Sequence, residues 1–115
     1  MKNRIASFRY ALNGLKIAYL EEPNFRIHIL ALIVVVIAGI YLNIELRDWM
    51  ILVLTSIIVI ITELLNTAIE NVCDFIHAEQ NVTIGRIKDV CAAAVLISAI
   101  GAIVVGAFVF YPYII

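Results

Sequence analysis

The sequence predicts an all-α integral membrane protein, with an amphipathic surface helix over about 1–22 and three transmembrane helices over about 27–44, 49–76 and 89–113. Three observations carry this. The chain has 115 residues and is 64% hydrophobic, whereas a soluble domain of that size is nearer half apolar and carries more surface charge. Three of its stretches are long enough to cross a hydrocarbon core, which takes roughly twenty helical residues. The polar chemistry gathers near one end of those stretches. The whole chain, 1–115, reads as a single membrane-embedded domain.

The N-terminal segment has its own pattern. Ile5, Phe8, Leu12, Leu15 and Tyr19 recur at three- and four-residue steps, and Ser7, Ala11, Gly14 and Ala18 follow a neighbouring face. Arg9, Asn13 and Lys16 form a polar side. Such a helix lies on a membrane surface with its basic side toward anionic headgroups. The small stripe suits close packing on another helix. Pro23 disfavours helical geometry at Glu22. The chain is therefore expected to turn at Pro23-Asn24 and enter the membrane through Phe25.

The first span, Ile27 to Ile44, has no formally charged residue. The second has none from Trp49 to Thr62, and its apolar pattern continues past Glu63 and Glu70 to Ile76. The third, Val90 to Ile115, has none at all. Lys2, Arg4, Arg9, Lys16 and Arg26 precede the first span, and Arg86 and Lys88 lie between the second and third. The first link has only Arg47, beside Glu45 and Asp48. The positive-inside rule puts the N-terminus and the segment 74–89 in the cytoplasm. The 43–48 turn, with Asn43 as a turn residue, and the C-terminus face the other side. Tyr41, Trp49, Tyr111 and Tyr113 form an aromatic belt there.

Several classes are disfavoured. No short apolar region with a small-residue cleavage site follows the basic N-terminus, so no signal peptide is expected. A formal net charge of −1 says little about partners, and no nucleic-acid partner is expected. Cys73 and Cys91 are far apart, form no CxxC, and read as small packing residues. Neither GxxxxGK[ST] nor GxGxxG occurs; Gly101 and Gly106 have the first spacing but lie in an apolar helix without the lysine.

The informative run is Glu63-Leu-Leu-Asn66-Thr-Ala-Ile-Glu70-Asn-Val-Cys-Asp74. Residues 63, 66, 70 and 74 stack on one helical face, and a carboxylate near hydrocarbon is costly and usually functional. Glu63 lies roughly 10 Å deeper than Glu70, at the depth of a neutral lipid's hydroxyl. Glu22 and Glu70, from different helices, can hold a hard divalent cation such as Mg2+ together with nucleotide phosphates. Lys88 can neutralise phosphate, and Asp89 can orient it or bind a nucleotide hydroxyl. Glu63, poorly solvated, suits a general base, with Asn66 orienting it or the substrate. Phosphoryl transfer needs little beyond such positioning and charge stabilisation. The set points to a metal-assisted transfer to a membrane-held hydroxyl.

The same run closely resembles the signature of the small prokaryotic integral-membrane diacylglycerol kinase family. Lys88-Asp89 with Ala92-Ala93-Ala94-Val95 resembles its second block, and Glu22-Pro-Asn-Phe-Arg-Ile-His28 resembles the N-terminal block of its undecaprenol kinase branch. The resemblance spans nearly the whole chain. It implies a bacterial inner, or cytoplasmic, membrane enzyme that phosphorylates a lipid alcohol, undecaprenol or diacylglycerol, with Mg2+ and ATP. It also implies a homotrimer with sites shared between subunits. By motif, Glu63 matches the catalytic base, Asn66 the amide beside it, and Glu22 and Glu70 the metal-holding pair. Tyr10, Glu22, Glu70, Asp74, Lys88 and Asp89 fall on the nucleotide side. Phe25, Arg26 and Ala92 join Glu63 on the lipid side. Glu79 to Asn81 fall where the family approaches the nucleotide. His28 stands where the diacylglycerol kinase branch has an acid.

Each residue also has a plainer reading. Glu70 and Asp74 can be interfacial acids, and Asp89 can cap the third span while Lys88 snorkels. His28 and His77 read as interfacial packing, and Ala92 and Ala99 as close helix contacts. The rival function is a small proton-coupled membrane transporter using Glu63. Its acid would sit near midplane and be reached from both sides, whereas this chain crowds its acids at one face. A non-catalytic assembly subunit would have no need of the Glu63/Asn66/Glu70 stripe.

Overall fold

A computed structural model of the chain describes residues 4–76 and 81–115. The expectations for Lys2, His77, Glu79 and Gln80 lie outside the described residues. Four helices follow one another: α1 (Arg4–Glu21), α2 (Pro23–Leu42), α3 (Leu46–Ile76) and α4 (Val82–Ile114). The last three are each long and apolar enough to cross a membrane. Little of their surface is covered by protein, as suits helices whose outer sides meet hydrocarbon.

The break between α1 and α2 falls one residue earlier than expected. Glu22 alone is extended, with φ −115° and ψ 106°, and Pro23 already opens α2. Proline is at ease in a first helical turn, where its missing N–H has no partner to lose, and it is the preceding residue that it drives out of the helix. Arg26 then reaches back. Its Nη1 donates to the carbonyls of Tyr19 at 2.6 Å and Leu20 at 3.3 Å, and its guanidinium lies 5.9 Å from the Tyr19 ring centroid. A cation at the carbonyl end of α1 also complements the helix dipole.

Asn43 ends α2 in the left-handed conformation, φ 54° and ψ 53°, which asparagine tolerates better than most residues. The N–H groups of Asn43 and Ile44 return to the carbonyls of Ile40 and Gly39, at 3.2 Å each, closing the helix as a Schellman motif. α3 begins at Leu46, a little ahead of the apolar run. α4 begins two turns ahead of it, and Asp89 is not its cap. Asn81 is, with Oδ1 accepting from the N–H of Thr83 at 2.9 Å and of Ile84 at 3.2 Å. The charges at Arg86, Lys88 and Asp89 disguised those turns as a link, whereas a helix start is set by its cap.

α1 is helical as expected, but its apolar residues do not keep to one face. Tyr10, Ile17 and Leu20 are also exposed, and at 3.6 residues per turn they fall away from the Ile5–Tyr19 arc. Of the small stripe, Ala18 is buried and Ser7 half-buried, while Ala11 and Gly14 are exposed. α1 rests on α2 and α3.

The spans pack through narrow seams. On α4 the covered positions include Ile84, Lys88, Cys91, Val95, Ser98 and Ala102, and on α2 they include Phe25, His28, Leu32, Val35, Gly39 and Leu42, with Ile29 and Ala38 beside them. Both series alternate steps of three and four, the pattern of a coiled-coil seam. One end of the bundle is closed by Ile44, Leu52 and Val109, with Trp49, Val105, Phe110 and Tyr113 around them. The Tyr113 hydroxyl donates to the Asp48 carboxylate and accepts the N–H of Glu45 at 3.1 Å. A Cβ on Gly39 would meet the Trp49 ring at 2.5 Å, so glycine is what lets that ring lie against α2.

Candidate active site

The opposite end holds the acids. α3 turns Leu52, Val59, Glu63, Thr67 and Cys73 into the protein. Glu63 is 1% exposed and is the largest fully buried side chain. The Thr67 hydroxyl donates to the Glu63 backbone carbonyl at 3.0 Å, which leaves the carboxylate to other partners. Neither of its oxygens, nor Asn66 Oδ1 one turn away, makes a regular hydrogen bond. A buried acceptor left in this way costs about 1–3 kcal/mol. His28 Nε2 on α2 lies 3.0 Å from Glu63 Oε1, a close approach that does not form a regular hydrogen bond.

Two turns along α3, Glu70 comes close enough to Glu22, at the α1–α2 break, for the two carboxyls to interact. Glu22 is held above the ordinary glutamate value of 4.5, first by partial burial and then by the nearness and negative charge of Glu70. Glu63 and Glu21 add smaller repulsions. Two carboxyls pressed together either share a proton or take a cation. No cluster of three or more metal-ligating side chains exists among the described residues. Two hard oxygen donors fit magnesium, which keeps water and phosphate oxygens in its remaining positions.

Further along, Lys88 Nζ donates to Asp74 Oδ1 at 2.6 Å across the α3–α4 seam. Asn71 Nδ2 donates to Glu21 Oε1 at 3.4 Å. Within one chain, then, the fold gathers Glu22, His28, Glu63, Asn66 and Glu70, with the Asp74–Lys88 pair beyond them. Phe25 is buried in the α2 seam at 2% exposure, and Arg26 is engaged by α1. Tyr10, Asp89 and Ala92 are on exposed sides of α1 and α4 and join no part of this cluster.

His28 is the residue that sequence reasoning placed among packing residues and that the structure places against Glu63. The sequence carried no signal for it: α2 is apolar on every side, and the seam through Phe25, His28, Leu32 and Val35 shows only in the burial of the folded chain.

The chain is similar to known proteins over most of its length. The model of the prokaryotic diacylglycerol kinase family matches residues 9–110. The chain is similar to a diacylglycerol kinase of Synechocystis, 40% identical over 96% of the chain and 63% of the relative. It is similar to a diacylglycerol kinase of Escherichia coli, 36% identical over 83% of the chain and 78% of the relative. An undecaprenol kinase of Bacillus subtilis is 33% identical over 92% of the chain and 86% of the relative. The chain thus spans less than two thirds of the Synechocystis protein. Identity is higher to these two diacylglycerol kinases than to the undecaprenol kinase.

Proposed function

The chain belongs to the prokaryotic diacylglycerol kinase family, and from that premise we propose that it is a lipid kinase that transfers the γ-phosphoryl group of MgATP to the primary hydroxyl of a membrane lipid alcohol. The observation that carries the reading is Glu63: fully buried in an apolar helix, with His28 Nε2 3.0 Å from Oε1 but with neither carboxylate oxygen, nor the neighbouring Asn66 Oδ1, making a regular hydrogen bond. A substrate hydroxyl supplies such a donor. Glu63 takes its proton as the oxygen attacks the γ-phosphorus, the bond to the β-phosphate bridge breaks, and ADP leaves.

The other residues serve charge and position. Glu22 and Glu70 hold the divalent cation, whose chemistry is to neutralise phosphate charge. Lys88, released from Asp74, turns to phosphate, where its ammonium makes a charge-assisted contact. Asn66 orients Glu63 or the hydroxyl. The distribution of Lys and Arg puts this end of the bundle in the cytoplasm, where ATP is. Tyr10, Asp89 and Ala92 face outward and complete the site of a neighbouring copy in a homotrimer. Phe25 and Arg26 shape the lipid entrance.

Both undecaprenol and diacylglycerol present a primary hydroxyl at this depth. The Glu22–His28 block favours undecaprenol. The test is a lipid panel: purified protein in mixed micelles with magnesium and labelled ATP, offered diacylglycerol, undecaprenol and ceramide in parallel. A phosphorylated lipid is expected. Folded protein that phosphorylates none of them sinks the reading, and lipid-independent proton transport would revive the transporter.

A further inference from the structure

We propose that His28 is a positioning residue for phosphoryl transfer: its Nε2–H holds Oε1 of Glu63, so that Oε2 is the oxygen left to take the substrate proton. The inference rests on the kinase reading and goes beyond it by giving the base a fixed geometry.

The geometry begins with the seam. His28 sits among Phe25, Leu32 and Val35 on the covered side of α2, at positions that pack against α3. Its Nε2 lies 3.0 Å from Glu63 Oε1, with His28 20% exposed and Glu63 1% exposed. An imidazole in an otherwise apolar seam is a poor choice for packing alone, since a polar group buried without a partner is costly. Against a buried carboxylate it is a good one. The ring turns about a soft torsion, and a small rotation brings the N–H onto the line to Oε1. A charge-assisted hydrogen bond then forms, provided the proton resides on Nε2.

The consequence is directional. A carboxylate has two equivalent oxygens and rotates freely about its last bond. Fixing Oε1 from the α2 side leaves Oε2 as the oxygen still without a partner, and Asn66 Oδ1, also unpartnered, stands one turn away on the same helix. During transfer the hydroxyl proton moves to Oε2, the new O–P bond forms as the bridge to ADP breaks, and His28 keeps its own proton throughout. His28 touches no reacting atom. It acts only through Glu63.

The test compares two substitutions that packing and hydrogen bonding rank in opposite order. Leucine suits an apolar seam and cannot donate. Glutamine suits it poorly, yet its amide nitrogen reaches about as far as imidazole Nε2. The expected result with MgATP and the best lipid of the panel is a kcat loss of roughly a hundredfold for His28→Leu with KM for ATP within about twofold. His28→Gln should recover at least about tenfold of that loss. His28→Leu equal to or faster than His28→Gln overturns the proposal, because packing then suffices.

A second readout does not depend on turnover. An apolar carbodiimide labels buried protonated carboxyls, and labelling of Glu63 is read by mass spectrometry. Removing the donor should raise labelling several-fold in His28→Leu and less in His28→Gln. Equal labelling in all three proteins overturns the contact. If the wild-type protein phosphorylates no lipid, the kinase reading fails and the positioning role falls with it. The labelling then still decides whether His28 holds Glu63.

Discussion

The two ends of this bundle are built on opposite principles. At the Asn43–Trp49 end, every device closes something: a Schellman turn, a tryptophan laid on a glycine, and a tyrosine that both donates and accepts. At the Glu22–Glu70 end, polar groups are buried with their bonding unfinished. Two carboxyls face each other, and a third is sealed in the interior. Interactions that stabilise a fold are normally completed by the protein itself. Groups left incomplete at one end only mark where something else completes them. The comparison teaches which substitutions should cost stability and which should cost activity.

The largest effect should come from the sealed acid. Glu63→Gln keeps the shape and removes the ability to accept a proton. Turnover should fall by about 10³-fold, within the range for losing a general base, while the melting temperature stays near that of the wild type. Glu63→Asp should be nearly as slow, because withdrawing the carboxylate by about an ångström misplaces it. Near-normal turnover in the glutamine variant removes Glu63 from the chemistry and ends the contrast between the two ends.

The carboxyl pair comes next. Glu22→Gln and Glu70→Gln should each weaken magnesium-dependent nucleotide binding about tenfold, since each removes a charged oxygen donor from a divalent cation. Calorimetric titration of MgATP into the detergent-solubilised protein measures it. Glu63→Gln is the matched control and should bind MgATP normally. Unchanged affinity in both pair variants means that the pair does not hold the cation.

The closed end supplies the converse. Gly39→Ala puts a methyl where the Trp49 ring already lies, at 2.5 Å. Overpacking of this kind costs about 1–3 kcal/mol. Thermal unfolding should show the loss, and kcat per folded molecule should not move. A fall in kcat with no fall in stability would mean that the two ends are coupled and that the division drawn between them is false.

Much of this contrast was legible in the sequence. The three spans follow from apolar runs, and the acidic stripe from helical spacing. What escaped were features set by single local contacts. The start of α4 depends on Asn81 capping two N–H groups, which no hydropathy pattern records. Pro23 did signal the loss of helix at Glu22; what escaped is that Pro23 itself already opens α2. The His28–Glu63 contact joins two helices thirty-odd residues apart. α2 is apolar all round, so its pattern did not say which way His28 faces, and only the register of α2 on α3 brings it level with Glu63. Tyr10, Asp89 and Ala92 are the reverse case: motif put them in the site, and the single chain leaves them facing outward.

The smallest effect is the one most specific to the open end. Glu22 has its carboxyl pushed above 4.5 by partial burial and by Glu70. The folded chain therefore holds a proton there at pH values where the unfolded chain has lost it. Stability falls with rising pH wherever the native state binds more protons. The contribution is complete below pH 4.5 and is lost as pH rises through the raised value. Without magnesium, the wild-type melting temperature should thus decline from acid toward neutral pH more steeply than that of Glu22→Gln, which has no proton to lose. Other carboxyls titrate in both proteins, so the difference between the two slopes isolates Glu22 and its coupling to Glu70. Magnesium at neutral pH should restore the wild type and leave Glu22→Gln nearly unmoved, because the cation relieves the same repulsion that the proton relieved. Equal slopes with and without the Glu22 carboxyl would show that the pair is not strained, and that the open end is less unfinished than its geometry indicates.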